Sequence, residues 1–146
     1  MTLKKRILLV DDEPEILQTL RIILAAEGYS VETAWSSKEA LALATLERFD
    51  LVVTDFNMPE MKGDELALRI KEQRPATPVV MLTGSAEILR SSGRKLPGVD
   101  LLMGKPFNLA ELRTEIAQLI VEAELYAKPP VAAGWADKQH REPVLR

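Results

Sequence analysis

The chain has no cysteine, a single histidine in 146 residues, aromatics at only 5% and no apolar run near transmembrane length. Each scarcity closes off a class of answer. Without cysteine there are no disulfides, no thiol catalysis and no cysteine-ligated metals, a composition compatible with a reducing cytoplasm. The first residues run from Lys4-Lys5-Arg6 into a short apolar segment that ends in acids, too short for the core of a signal peptide and without a small-residue cleavage site. With no run of about 20 apolar residues, no membrane insertion is expected. An excess of basic charge is also missing. Residues 1–126 carry 15 Lys+Arg against 20 Asp+Glu, and residues 127–146 carry 4 against 2, for a net charge of −3. That is a poor electrostatic footprint for nucleic acid, and no direct nucleic-acid binding is expected.

What is present is aliphatic. Hydrophobic residues make up 47% of a chain with room for one domain, so the core is built from Val, Ile, Leu and Ala, as buried parallel strands are. Short β-branched runs alternate with helical patterns five times, the signature of βα units. The strands read as 6–10, 30–34, 50–54, 78–82 and 99–103. The first helix spans 14–26, with Pro14 in its first turn, Ile16, Leu20, Ile23 and Leu24 at helical spacing and Gly28 as its stop. The second spans 37–47 and is capped by Ser36 or Ser37; the third spans 63–73, turns Leu66 and Ile70 inward and ends before Pro75. The fourth is the weakest element: only Ala86 to Arg90 reads as helix before Ser91, Ser92, Gly93, Pro97 and Gly98 interrupt it. The fifth spans 108–125, is capped by Asn108 and presents Leu109, Leu112, Ile116, Leu119 and Ile120 on one face. Right-handed crossovers then favour an α/β, flavodoxin-like five-stranded parallel sheet of order 2-1-3-4-5 with helices on both faces. Residues 1–126 form this domain, and 127–146, which lack periodicity, read as a non-globular tail.

The strand ends carry the chemistry. Asp11 and Asp12 follow the first strand, Asp55 the third, Thr83 the fourth and Lys105 the fifth. In a parallel sheet these groups meet at one edge, where ligands of open α/β sheets bind. Taken singly, each is ordinary, since an Asp after a strand is commonly a helix cap. The helix-cap explanation does not account for a lysine and a hydroxyl at the same edge. Clustered carboxylates repel, and an oxygen-preferring divalent cation, Mg²⁺ above all, relieves them. A cation with Lys105 and Thr83 beside it favours a phosphoryl group on Asp55.

These residues, from Lys5 to about Glu124, resemble the receiver domain of two-component response regulators. Asp55-Phe56-Asn57-Met58-Pro59-Glu60-Met61-Lys62-Gly63 is similar to that family's acceptor loop, and Lys105-Pro106-Phe107 to its closing motif. The resemblance implies that Asp55 is the phosphoacceptor and that Asp11 and Asp12 hold Mg²⁺, together with Asp55 and the backbone carbonyl of Asn57. It implies that Thr83 is the switch hydroxyl, that Lys105 pairs with the phosphate and that a cis peptide precedes Pro106. It implies a partner histidine kinase or histidine phosphotransfer protein as donor, because His140, near the C-terminus, reads as a solvated side chain. It also implies cytoplasmic phosphorelay signalling through a phosphoprotein that is not a turnover enzyme. One position departs from the family: Leu102 stands where an aromatic usually precedes the lysine by three residues. The downstream partner is expected on the face of the fourth helix, fifth strand and fifth helix.

Two other chemistries fit less well. A phosphatase of the haloacid-dehalogenase type needs an acid two residues after its nucleophile, where Asn57 cannot shuttle a proton. A flavin protein needs a phosphate-cradling loop after its first strand, where this chain has Asp11-Asp12-Glu13. Met58, Met61 and Met103 read as packing, and Trp35 as either a partner anchor or, preferably, a residue packed at the start of a helix. A receiver cut from a longer regulator or hybrid kinase is the remaining alternative to a freestanding protein, which Met1 just before the first strand and the short tail favour.

Overall fold

Alternating apolar residues along each short run need cover on both sides, and five βα units supply it. The computed structural model describes residues 3–127. Strands β1 (Arg6–Val10), β2 (Ser30–Ala34), β3 (Leu51–Thr54), β4 (Val79–Thr83) and β5 (Leu101–Gly104) alternate with helices α1 (Pro14–Ala26), α2 (Ser37–Leu46), α3 (Gly63–Gln73), α4 (Ala86–Ser91) and α5 (Leu109–Ala127). The sheet order is β2-β1-β3-β4-β5, and every pairing is parallel. This is the flavodoxin-like order expected from the sequence. Residues 128–146, which include most of the expected tail and His140, lie outside the described residues.

The period of two along the strands divides the core. Ile7 and Leu9 of β1 pack with Leu17, Leu20 and Leu24 of α1 and with Leu112, Ile116, Leu119 and Ile120 of α5 on one face. Leu8 and Val10 pack with Ala40 and Ala44 of α2 and Leu66, Ala67 and Ile70 of α3 on the other. A third cluster, Phe56, Met81 and Leu89, sits beneath α4 with Leu96, Val99 and Leu102 against it.

Several local expectations are refined. The buried stripe of α1 is Leu17, Leu20 and Leu24, with Ile16 and Ile23 only half-buried, because the sheet contact is centred between the two candidate faces. β5 begins at Leu101 instead of residue 99, since Asp100 is engaged in anchoring. Its carboxylate accepts the Val79 N–H at 2.7 Å and pairs with Lys71 at 2.8 Å. Ser36, not Ser37, caps α2, accepting the Glu39 N–H at 3.1 Å. Asn108 accepts the Glu111 N–H at 2.9 Å, as its expected capping role requires. The expectation that Trp35 packs at a helix start is wrong: the side chain is 67% exposed. Its natural packing partner would be the fourth residue of the helix, here Ala40, which is itself fully buried against the sheet. The α4 helix is six residues long, as the interruption predicted, and the chain leaves it through Gly93 and Gly98, both at positive φ.

One glycine has a steric requirement. A Cβ on Gly63 would lie 2.0 Å from the Asp55 carbonyl oxygen and 3.0 Å from Phe56 Cα, because α3 starts directly against the end of β3. Gly63→Ala is therefore expected to cost about 3 kcal/mol, the upper part of the overpacking range. Gly84→Ala, where a Cβ meets nothing within 4 Å, should stay within about 0.5 kcal/mol. Urea unfolding of the two variants checks this; equal midpoints would show that the α3 start shifts freely.

Candidate functional site

Parallel strands place their C-terminal residues along one edge, and the loops there are tied together by the backbone. Asp11 donates its N–H to Ala34 O at 3.2 Å, Asp55 to Val10 O at 3.1 Å and Lys105 to Thr83 O at 3.0 Å. Each site residue is thus stitched to the neighbouring strand's end before its side chain does anything.

Asp11 is 4% exposed. Its Oδ1 accepts the Glu13 N–H at 3.0 Å, and its Oδ2 accepts from Lys105 Nζ at 2.6 Å. In Asp55, Oδ1 accepts the Phe56 N–H at 2.6 Å, while Oδ2 faces Lys105 Nζ at 3.3 Å. Glu13 adds a more distant carboxylate, 3.6 Å from the same amine. Asp11, Asp12 and Asp55 each offer an oxygen within 4.8 Å of the others, a grouping that can hold a metal ion. At that separation two carboxylates repel by a few kcal/mol near a protein surface, less where water screens the exposed Asp12. One ammonium therefore faces an excess of negative charge, and the remaining charge suits an oxygen-preferring cation.

The titration of the buried pair follows from the same arrangement. Burial pushes the Asp11 carboxyl above the ordinary carboxylate range, although Lys105 and the Glu13 N–H oppose it. Burial disfavours the charge on Lys105, but its hydrogen bond to Asp11 and the charges of Asp11 and Asp55 outweigh it and raise its pKa above that of an ordinary lysine. Lys105 is thus held cationic across the physiological range.

Thr83 is fully buried. Its hydroxyl oxygen accepts the Ser85 N–H at 3.2 Å, and among the described residues it makes no hydrogen bond to the carboxylates. An oxygen used as acceptor keeps its own proton for another partner. Asn57 Nδ2 donates to Ser85 Oγ at 2.8 Å, joining the β3–α3 and β4–α4 loops, and among the described residues its backbone carbonyl has no partner. The structure thus brings Asp11, Asp12, Asp55 and Lys105 together directly, with Thr83 and Asn57 meeting at Ser85. Ser85 carries no site assignment in the sequence reading, although a hydroxyl two residues beyond Thr83 at the same edge is a usable signal. Ser37 was missed as well: its buried hydroxyl donates to Met61 O at 2.8 Å and pins the acceptor loop. That loop also contains Glu60 at φ 71°. The Lys105–Pro106 peptide is cis.

Comparison with known proteins gives a consistent result. Residues 7–117 match the model of the response regulator receiver domain. The chain is 35% identical over 126 residues to the alkaline phosphatase synthesis transcriptional regulatory protein PhoP of Bacillus subtilis, covering 86% of this chain and 52% of that protein. Among solved structures it is similar to a CheY-like response regulator receiver domain protein from Methanospirillum hungatei, at TM-score 0.79 and 36% identity over 85% of this chain and 99% of that one. It is also similar to the response regulator TrrA of Thermotoga maritima, solved in complex with Mg²⁺-BeF, at TM-score 0.70 and 36% identity over 79% and 98% of the two chains. The chain spans 29 to 56% of the length of the transcriptional regulators it matches.

The central role of the amine is measurable without any donor. In metal-free buffer Lys105→Ala should destabilise the fold by about 2 kcal/mol or more, because Asp11 and Asp55 are left facing each other without a countercharge. Adding Asp55→Asn should recover part of that loss by removing one of the repelling charges. A double-mutant cycle by urea unfolding reads the coupling, and additive losses would show that Lys105 does not compensate these two acids.

Proposed function

From the chain's membership of the response regulator receiver family, a family of phosphoacceptors in two-component signalling, we propose that Asp55 accepts the phosphoryl group. The donor is a phosphohistidine on a partner histidine kinase or histidine phosphotransfer protein. The observation that carries this reading is the split environment of Asp55, with one oxygen anchored by a backbone N–H and the other aimed at Lys105. Oδ2 attacks phosphorus and an O–P bond forms. The N–P bond of the donor breaks, and its electron pair returns to the imidazole. Lys105 neutralises charge on the transferred oxygens, so that the chain contributes positioning and electrostatics, the main requirements of phosphoryl transfer. Asp11, Asp12, Asp55 and the carbonyl of Asn57, unpartnered among the described residues, would hold Mg²⁺, which would supply the remaining positive charge. The carboxylate cluster and the Mg²⁺-BeF complex of TrrA support that choice of ion.

The chain acts as a switch that takes up and loses one group, and not as a turnover phosphatase. Asn57, two residues after Asp55, donates a hydrogen bond to Ser85, and its amide, which does not ionise, cannot act as a general acid or base. We place its work in the cytoplasm, where its donor's kinase domain and ATP meet. Whether it acts alone or within a longer regulator, the output lies on the face formed by α4, β5 and α5, where a groove of about 450 Å³ is lined by Arg90, Leu102, Phe107 and Glu111 among others.

Phe56 links the site to that face. It follows Asp55 directly, packs with Met81, Leu89, Leu96, Val99 and Leu102 and carries the Arg94 guanidinium 5.2 Å from its ring centre. Arg94 in turn pairs with Asp64 at 2.6 Å. Leu102, in place of an aromatic, makes a ring flip on β5 impossible, so movement of the Thr83–Ser85 loop is transmitted through this cluster and the short α4.

Incubation with acetyl phosphate and Mg²⁺ should add one phosphoryl group by intact mass. Asp55→Asn should abolish the adduct, and Asp11→Asn with Asp12→Asn should reduce both the adduct and calorimetric Mg²⁺ affinity at least tenfold. Full modification of the Asp55 variant would refute the assignment. Hydrogen exchange with a phosphoryl mimic and Mg²⁺ should change most at residues 83–104 beyond the acceptor loop, and Phe56→Ala should confine the change to residues 55–63. An unaltered pattern in Phe56→Ala would remove Phe56 from the route.

A further inference from the structure

Trp35 is 67% exposed, yet nothing about its backbone is loose. Its N–H donates to Glu39 Oε1 at 2.8 Å, while the next residue, Ser36, accepts from the Glu39 N–H at 3.1 Å. Reciprocal bonding of this kind fixes the start of α2 and holds the indole outward. An exposed indole leaves on the order of 3 kcal/mol of burial unused. Of the exposed large apolar side chains among the described residues, Leu3, Ile22, Leu46, Leu68, Ile88, Val121, Leu125 and Tyr126 lie in the N-terminal lead-in or on helices. Trp35 alone stands in a strand-to-helix loop at the edge that carries Asp55.

Position relative to Asp55 sets the partner. β2 is separated from β3 only by β1, so at a strand spacing of about 4.8 Å the two strand ends lie roughly 10 Å apart. The loops are continuous, since Asp11 N–H bonds to Ala34 O, the carbonyl immediately before Trp35. Asp55 is 8% exposed and reachable only over this edge. A protein that brings a phosphohistidine there covers about 800 Å², a disc of roughly 16 Å radius, which includes Trp35. At this edge Glu13, before α1, Glu15, in its first turn, and Glu39, in the first turn of α2, are exposed, with Lys38 the only base among residues 11–15 and 35–39, so the matching surface is apolar with a basic rim.

Resting on the reading of Asp55 as phosphoacceptor, we propose that Trp35 is a docking residue for the phosphohistidine-bearing donor protein, contributing affinity for that partner and nothing to the chemistry at Asp55. Such aromatic anchors concentrate binding energy.

The test compares two donors on the whole chain, wild type and Trp35→Ala. Acetyl phosphate with Mg²⁺ probes the chemistry alone. The protein donor is whichever autophosphorylated histidine kinase or phosphotransfer protein, in a profiling panel, transfers to the wild type. Expected are acetyl phosphate rates within twofold of each other, and protein-donor transfer at least tenfold slower for Trp35→Ala at low donor concentration but recovering at saturation. Trp35→Phe should regain part of the loss. In a Trp135→Phe background, Trp35 emission should shift on adding the unphosphorylated donor. Equal transfer from the protein donor would overturn the proposal, as would equal losses with both donors, which would place Trp35 in the site. Acceptance from acetyl phosphate but from no phosphohistidine protein would remove the partner and the proposal together. A wild type inert to acetyl phosphate would instead sink the reading of Asp55.

Discussion

A single ammonium group balances the functional edge of this molecule. Lys105 stands after β5, yet its Nζ reaches Asp11 after β1, 94 residues away in sequence, and Asp55 after β3 between them. Each of the three groups is at most 15% exposed at the side chain, so none is well served by water. Burial works against the charges of Asp11 and Lys105: the facing carboxylates outweigh it for Lys105, while for Asp11 burial prevails and lifts the carboxyl above its ordinary range. With Asp12 beside them, three carboxylates gather around one ammonium, and it is that excess of acidic groups which makes the site receptive to a cation.

The same edge is stiff in one half and yielding in the other. The acceptor loop is clamped by Gly63 N–H on Phe56 O at 2.9 Å, by Ser37 on Met61 and by the missing Cβ of Gly63 against the Asp55 carbonyl. The α4 region is held mainly from its rim, by Arg90 donating to Leu102 O at 2.7 Å and by Asn57 donating to Ser85. Six residues of helix are followed by two positive-φ glycines and tied down by exposed pairs such as Arg94–Asp64. Exposed pairs contribute little, and segments with few buried contacts open first. A perturbation arising at Asp55 therefore meets resistance at α3 and compliance at α4.

Much of this was legible in the sequence because it depends on periodicity and on what stands at strand ends. The order of the sheet, five βα units, the short α4 and the meeting of Asp11, Asp12, Asp55 and Lys105 all follow from short aliphatic runs that finish in polar groups. What escaped depends on tertiary contacts with no local signature. The inward face of α1 turns on one residue, Leu17 against Ile16, and two adjacent aliphatics cannot be ranked without the sheet. Ser37 is a common helix-start residue whose value comes from a carbonyl 24 positions later. Trp35 reads as a packed residue because indoles usually are buried, but its partner position on α2 is Ala40, small and itself fully buried against the sheet.

The placement of the few aromatics carries a further lesson. The chain has three Phe, two Tyr and two Trp, and its sheet is packed almost wholly by aliphatic side chains. Yet Trp35 directly follows β2, Phe56 comes two residues after β3 and Phe107 three residues after β5. Three of five strand ends thus carry a ring, and each plays a different part. Phe107 packs against the main core two residues after Lys105, Phe56 joins Asp55 to the cluster under α4, and Trp35 faces solvent. A ring offers a large, stiff apolar surface with few rotatable bonds, which suits positions where a loop must be braced, a displacement passed on or a partner met. An aliphatic core has no need of such surfaces in its interior. Leu102 on β5 fits this division: with Phe56 beside Asp55 already providing the rigid contact, the edge strand needs only a side chain small enough to pack against that cluster beneath the short α4.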